Sequence, residues 1–311
     1  AVGKQKYAYR ITQFLPKLID SFIPKTFPDA VAEDAYAGLP VAAGAFPVVM
    51  FSHGFTGYPA QSSFLTAHLA TWGFIVVSPE MTDMDVADAV EGKLPDVSKT
   101  AVAQKMLADN VSQQEAALDY VVAQGTTAGS LFDGHVNAGE VAFVGHSYGG
   151  ATAVETARAD SRIKVVVSLA GVPTTPLPRS IPILFMTGTY DQTIPTKDVV
   201  SFYDQFKPGK ALLEIDDTGH NVFDDICTVN HAHGGIPGAI TSLHLPVPKG
   251  LLVAATDGCN APDVYPPLAW PLIDEATTAY LMYGFGIDKT LTGLGSGIDH
   301  LFAVTTSFQA G

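Results

Sequence analysis

Glu140-Val-Ala-Phe-Val-Gly-His-Ser-Tyr-Gly149 joins an apolar run to a small-residue turn, and a helix-compatible stretch from Tyr148 to Arg158 follows without a break. Val-Ala-Phe-Val has no polar interruption, which is how a strand buried on both faces of a parallel sheet reads. Gly145 and Gly149 flank Ser147 in G-x-S-x-G spacing. Their lack of side chains permits a tight, strained strand-to-helix turn that lifts the Ser147 hydroxyl above the sheet. The same turn puts the Tyr148 N–H at a helix N-terminus, aimed at a developing oxyanion. The spacing alone arises by chance in many chains. The strand before it and the helix after it separate a nucleophile turn from an ordinary glycine-rich connection.

Outward from this stretch the same alternation continues. Phe46–Ser52, Phe74–Ser78, Ile163–Leu169, Ile181–Thr187 and Ala211–Ile215 read as further strands. Helices are expected over Ser62–Trp72, Asp109–Gln124 and, closing the chain, Leu268–Tyr283. Strands separated by helices of this length form βαβ crossovers, so the expectation is one α/β domain over residues 1–311, with a mainly parallel central sheet and helices on both faces. Three segments break the alternation: 1–45, an extension with a helix near Ile11–Phe22; 80–108, polar, with Glu80, Asp83, Asp85, Asp88 and Glu91; and 221–267, rich in Gly and Pro, a rim or lid.

A hydroxyl is a weak nucleophile at its own pKa and needs a base within hydrogen-bond reach. The partners of a serine on such a turn follow in the order acid, then histidine. Asp191 lies just beyond the strand Ile181–Thr187, and His220 lies just beyond Ala211–Ile215, after Gly219. Asp216 and Asp217 are too near His220 in sequence to serve as the acid, and Asp224 and Asp225 follow it. A second oxyanion donor is expected from the loop after Ser52, where Gly54 permits a turn and the Phe55 N–H points inward. Tyr58, Tyr148 and Tyr190 flank these loops and could line an acyl or aromatic pocket, although packing explains each about as well. His231 and His233 have no further Cys, His or carboxylate pattern around them, so no metal site is expected.

The chain carries 17 Lys and Arg against 31 Asp and Glu, a net charge of −14, which argues against nucleic acid or an anionic membrane as partner. Mean hydropathy is +0.22, high for so polar an environment as water, yet no apolar run approaches the roughly 18 residues of a membrane span. A sheet buried on both faces accounts for the surplus. The two cysteines, Cys227 and Cys259, are either unrelated buried thiols or one disulfide. The Gly and Pro content between them favours the disulfide and hence an oxidising, extracellular or periplasmic setting. The chain opens at Ala1 with no charged and apolar leader, as a mature secreted chain would.

Phe46-Pro-Val-Val-Met-Phe-Ser-His-Gly-Phe55, Ala60-Gln-Ser-Ser63, Leu69-Ala-Thr-Trp-Gly-Phe-Ile-Val-Val-Ser78, Gly145-His-Ser-Tyr-Gly-Gly150, Gly188-Thr-Tyr-Asp191 and Gly219-His220 together resemble bacterial α/β-hydrolases similar to platelet-activating-factor acetylhydrolase. They are also similar to the dienelactone-hydrolase and cutinase group, which includes polyester-degrading enzymes. The resemblance covers about residues 25–225 and the last helix. It implies an α/β-hydrolase fold, a Ser147-Asp191-His220 triad, an acyl-enzyme intermediate, no cofactor, and short- to medium-chain esters, lipids or polyesters as substrates. An amidase on the same triad, peroxide-dependent chemistry on it, and a non-catalytic binding protein of this fold are the alternatives. The chain departs from the group in three ways. Opening antiparallel strands are not evident before Phe46, Tyr148 stands where polyester-degrading cutinases usually carry Met, and the stretch after His220 is long.

Overall fold

The computed structural model describes residues 6–27, 29–235, 237–238, 241, 249–295, 297–298 and 301–311. Its central strands are built around runs of consecutive apolar residues: β3 (Phe46–Ser52), β4 (Ile75–Val77), β5 (Val136–His146), β6 (Ile163–Leu169), β7 (Ile183–Gly188) and β8 (Lys210–Ile215). Side chains alternate across a strand, so each such run needs cover on both sides. Val49, Phe51, Val144, Val167 and Met186 pack beneath Leu65 and Leu69 of α2 (Ser63–Thr71) and Leu272, Ile273 and Ala276 of α8 (Trp270–Gly284). Val48, Met50, Phe143, Val166 and Phe185 point the other way. They meet Leu118 and Val121 of α4 (Thr100–Gln124), Val154 and Ala157 of α5 (Tyr148–Ala159), and Val199 and Tyr203 of α6 (Thr196–Gln205). Each Val, Leu, Ile, Phe and Met among these, fully buried, contributes about 1.5–3 kcal/mol.

The strands lie in the order β4–β3–β5–β6–β7–β8–β9, parallel throughout except for β9 (Thr306–Ala310), which runs antiparallel to β8. The α/β architecture is the expected one, and the differences have local causes. β9 follows what was expected to be the closing helix. Its sequence, Thr-Ser-Phe-Gln-Ala, is half exposed on an edge and so lacks an apolar run. An antiparallel pair is present before Phe46 after all: β1 (Lys6–Arg10) with β2 (Ala30–Tyr36), a small sheet of its own. Between them lie a 3-10 turn (Ile11–Phe14) and α1 (Lys17–Phe22).

The 80–108 segment is also more regular than expected. Asp85 caps α3 (Val86–Glu91) by accepting from the Asp88 N–H at 2.9 Å, and Gly92, at φ 69°, ends it. Helix α4 begins at Thr100 rather than near Asp109, because its first nine residues bury only Met106 and Leu107 and so show no apolar stripe, while further along the stripe is partly polar. Asn110 and Gln114 are inaccessible, and they donate to the Met84 sulfur at 2.9 Å and to the Phe51 carbonyl at 3.4 Å. An apolar count cannot see such a stripe.

Tyr280 of α8 fastens that helix to the sheet edge, its hydroxyl lying 2.9 Å from both the Ile183 and the Gly209 carbonyl oxygens. Replacing it with Phe strips a buried donor from two acceptors. Tyr280→Phe is expected to lower unfolding free energy by about 1–3 kcal/mol in urea melts, with the denaturant slope unchanged.

Candidate active site

Every loop of chemical interest leaves the carboxyl end of a parallel strand, where ligands bind in open α/β sheets. Ser52 at the end of β3 pairs with Gly145 near the end of β5, and Gly188 closing β7 pairs with Ile215 closing β8. That register brings the turn carrying Ser147, the loop carrying Phe55, the loop carrying Asp191 and the loop carrying His220 to one edge.

Ser147 sits at φ 56°, ψ −121°, a conformation costing a non-glycine residue about 1–3 kcal/mol. It is held there by its N–H on the Leu169 carbonyl at 2.8 Å and by its own carbonyl, which accepts from Gly150 at 2.9 Å. The two flanking glycines are required by contact. A Cβ at Gly145 would lie 2.0 Å from the Gly149 oxygen, and one at Gly149 would lie 2.1 Å from the Ser52 oxygen. Helix α5 starts at Tyr148, whose N–H, like the others of a first helical turn, has no partner within the helix.

His220 Nδ1 lies 2.8 Å from Asp191 Oδ2, both side chains almost wholly buried. The other Asp191 oxygen accepts from the Thr193 and Ile194 N–H groups at 2.9 and 2.6 Å. A carboxylate only accepts, so Nδ1 carries a proton and Nε2 is the ring nitrogen that Asp191 leaves unengaged. Ser147 and His220 line one cleft of about 120 Å³, together with Phe55, Thr56, Thr193, Asn221, Ala254 and Ala255.

The Phe55 loop is braced by the acidic segment beside it. Thr56 N–H donates to the Met84 carbonyl at 2.7 Å, and His53 accepts from the Met81 N–H through Nε2 at 3.1 Å while its Nδ1 lies 2.9 Å from the Gly54 oxygen. The Phe55 and Tyr148 rings, 6.5 Å apart, rest on Met81, Met84 and Met106. The Tyr148 hydroxyl donates to the Ala103 carbonyl at 2.6 Å, so that side chain ties α5 to α4.

A family model described as PETase, PET hydrolase-like, matches residues 39–234. The chain belongs to the PET hydrolase-like family. It is 25% identical to the platelet-activating factor acetylhydrolase of Cavia porcellus over 278 residues, 78% of this chain, and spans only 58% of that curated relative's length. Among solved structures, a ferulic acid esterase from Streptomyces cinnamoneus superposes with a TM-score of 0.65 at 21% identity, covering 88% of this chain and 77% of that one. That likeness is one of fold, and with the mainly parallel sheet it identifies the α/β-hydrolase architecture.

Within this family member, the segment after His220 does structural work that the sequence did not announce. Asp257 is buried, and its Oδ2 accepts from the Gln192 N–H, the Thr193 N–H and the Thr193 hydroxyl at 3.1, 2.8 and 2.6 Å. The Asp257 carbonyl accepts from Asn221 N–H at 2.9 Å, so one residue clamps both the Asp191 loop and the His220 loop. Cys227 and Cys259 form the expected disulfide, spanning 32 positions, and fasten this clamp to the turn after His220. Of the 221–267 rim, residues 236, 239, 240 and 242–248, which include His244, lie outside the described residues. The helix α7 (Lys249–Ala254) and its successor Ala255 supply one wall of the cleft. The His231 ring lies tilted against Tyr265, ring centroids 4.5 Å apart, and no cluster suited to a metal occurs among the described residues.

The two flanking tyrosines differ in fate. Tyr58 borders the cleft, but it is buried, stacked on Phe14 at 5.1 Å and within 3.3 Å of the Tyr9 hydroxyl. Tyr190 is exposed and lines a separate groove with Gln192, Val253 and Asp263, outside the cleft of Ser147.

Burial pushes the His53 pKa down to about 4. The unfolded chain takes up that proton below about pH 6.5, whereas the folded one does not, so His53 removes stability as pH falls from about 6.5 to about 4. The stability difference between wild type and His53→Gln, followed by denaturant melts, is expected to shrink over that window and to be flat above it. Replacing both cysteines by serine is expected to cost about 3–4 kcal/mol in the same melts by loop entropy.

Proposed function

We propose that this chain is a serine carboxylic-ester hydrolase. The observation that carries the proposal is the buried Asp191–His220 hydrogen bond at 2.8 Å opening onto the same cleft as the strained Ser147 turn. With Nδ1 protonated, His220 presents the Nε2 lone pair as general base. Ser147 attacks the ester carbonyl as His220 takes its proton, and Asp191 stabilises the imidazolium that forms. The Phe55 and Tyr148 N–H groups receive the tetrahedral oxyanion, each donor contributing about 3–4 kcal/mol to the transition state. His220 returns the proton to the departing alcohol, and water, activated in the same way, cleaves the acyl-enzyme.

Family membership supports ester chemistry, since the names of the family and of both relatives denote hydrolysis of esters. The cleft supports a short acyl group. At about 120 Å³ it is below the roughly 300–1,000 Å³ of sites that engulf a drug-sized ligand. Larger esters, polyesters included, would be held mostly outside it, along the rim built by Thr193, Ala254 and Ala255. The groove at Tyr190 would be reached only by a substrate extending past that rim. The disulfide fits a chain that works in an oxidising compartment, and among the described residues no helix is long and apolar enough to cross a membrane.

Hydrolysis of p-nitrophenyl esters from acetate to palmitate tests this directly. The rate is expected to peak at acetate to butyrate and to fall by about 10⁴-fold or more in Ser147→Ala. A peak at palmitate would overturn the short-acyl assignment, and full activity in Ser147→Ala would overturn the mechanism.

A further inference from the structure

The loops that meet around Ser147 are joined by a string of side-chain hydrogen bonds that the reaction scheme does not use. Gln61 lies in the turn before α2 and is 3% exposed. Its Oε1 accepts from the Gly54 N–H at 3.1 Å, which fixes the orientation of the amide, because the flipped form would set one donor against another. Its Nε2 then lies 2.9 Å from Nδ1 of His146, the residue immediately before the nucleophile. An amide nitrogen only donates, so His146 Nδ1 is the acceptor and its proton sits on Nε2. That nitrogen is 3.1 Å from the carbonyl oxygen of His220. Direction is thus set at every joint: Gly54 N–H to Gln61, Gln61 to His146, His146 to the His220 backbone.

Two further facts keep the string neutral and in place. His146 is buried with its ring 4.7 Å from that of His220; burial first, and the His220 charge second, hold it well below the usual histidine range. The nearest carboxyl, Asp224, 3.8 Å from His146 Nδ1, is held well above the carboxylate range by its own burial. The imidazolium formed at His220 during turnover therefore meets an uncharged neighbour. Gln61 is itself anchored, its N–H on the Tyr58 carbonyl at 3.0 Å and its carbonyl accepting from the Asp225 N–H at 2.5 Å. A Cβ at Gly57 would lie 2.1 Å from Gln61 Oε1, so that position has to be glycine for the amide to fit.

We propose that Gln61 and His146 are positioning residues that lock the Phe55 loop and the His220 loop into one frame with Ser147. The proposal rests on the serine mechanism above and adds to it. Ester hydrolysis needs base, nucleophile and oxyanion donors registered together, and here the three come from separate strands. A misplacement of about 1 Å at such a site costs on the order of 100-fold in rate.

The test has two arms. In wild-type protein labelled with ¹⁵N at histidine, the His146 ring is expected as the Nε2–H tautomer with an unprotonated Nδ1, unchanged from about pH 5 to 8. A protonated Nδ1, or titration in that range, overturns the proposal without any variant having to fold. In the second arm, Gln61→Leu and His146→Leu are each expected to lose about 10- to 100-fold in kcat with KM within about twofold. The double variant is expected to lose no more than the worse single one, the mark of residues acting as a unit. Unchanged kcat, or losses that multiply, overturns the proposal. Ser147→Ala, assayed alongside, separates the two levels. If it abolishes hydrolysis while Gln61→Leu keeps the wild-type kcat, only the positioning role fails, whereas activity surviving in Ser147→Ala removes the mechanism itself.

Discussion

Backbone meets backbone where α5 begins, with Gly149 set against the last carbonyls of β3 and Gly145 against Gly149 itself. Interiors are close-packed and shift little, so any side chain there would push the helix away from the sheet. Helix α5 would then no longer start directly beneath the end of β5, and the turn at Ser147 would relax from its strained geometry. The positions of Phe55, Asp191 and His220 matter only relative to that turn. The rest of the site is in effect built around a contact between main chains.

The strain at Ser147 is tolerated because it is surrounded. Strands β3, β5 and β6 are buried on both faces, and the Leu169 carbonyl at the end of β6 takes the Ser147 N–H. Further out the loops are longer and have less core beneath them, and buried polar clamps replace apolar packing. Asp257 grips the Asp191 and His220 loops, the disulfide grips Asp257's segment, and the 81–86 stretch grips the Phe55 loop. Buried polar groups of this kind are costly unless satisfied, and their satisfaction rigidifies what they join.

The strands of the central sheet were legible because burial on two faces leaves a long apolar run, and the strained turn at Ser147 was legible because a strand, two glycines and a helix had to coincide. The contact between Asp191 and His220 could be anticipated because each follows such a strand. What was hidden has a common physical character. β1, β2 and β9 are edge or outlying strands with an exposed side, so polar residues interrupt them. The start of α4, Thr100 to Ala108, buries only Met106 and Leu107, too few to show a stripe. Gln61, His146 and Asp257 make their contacts with residues 7 to 85 positions away, through single polar side chains that leave no periodic trace. Tyr190 flanks Asp191 in sequence, but neighbours in a tight loop point in different directions, and this one faces a different groove.

The small β1–β2 sheet is linked to the chemistry through the Tyr9 side chain. The Tyr9 hydroxyl donates to Asp225 Oδ2 at 2.9 Å, and that oxygen also accepts from the Ser63 N–H at 2.9 Å, just past Gln61 and five residues beyond His220. Two short strands with little core of their own open at lower free energy than a seven-stranded sheet. Heating would therefore detach the amino-terminal pair first and slacken the histidine loop while the sheet was still intact. Catalysis would fade below the melting temperature of the fold, and the working range of the protein would be set by the β1–β2 pair rather than by its core.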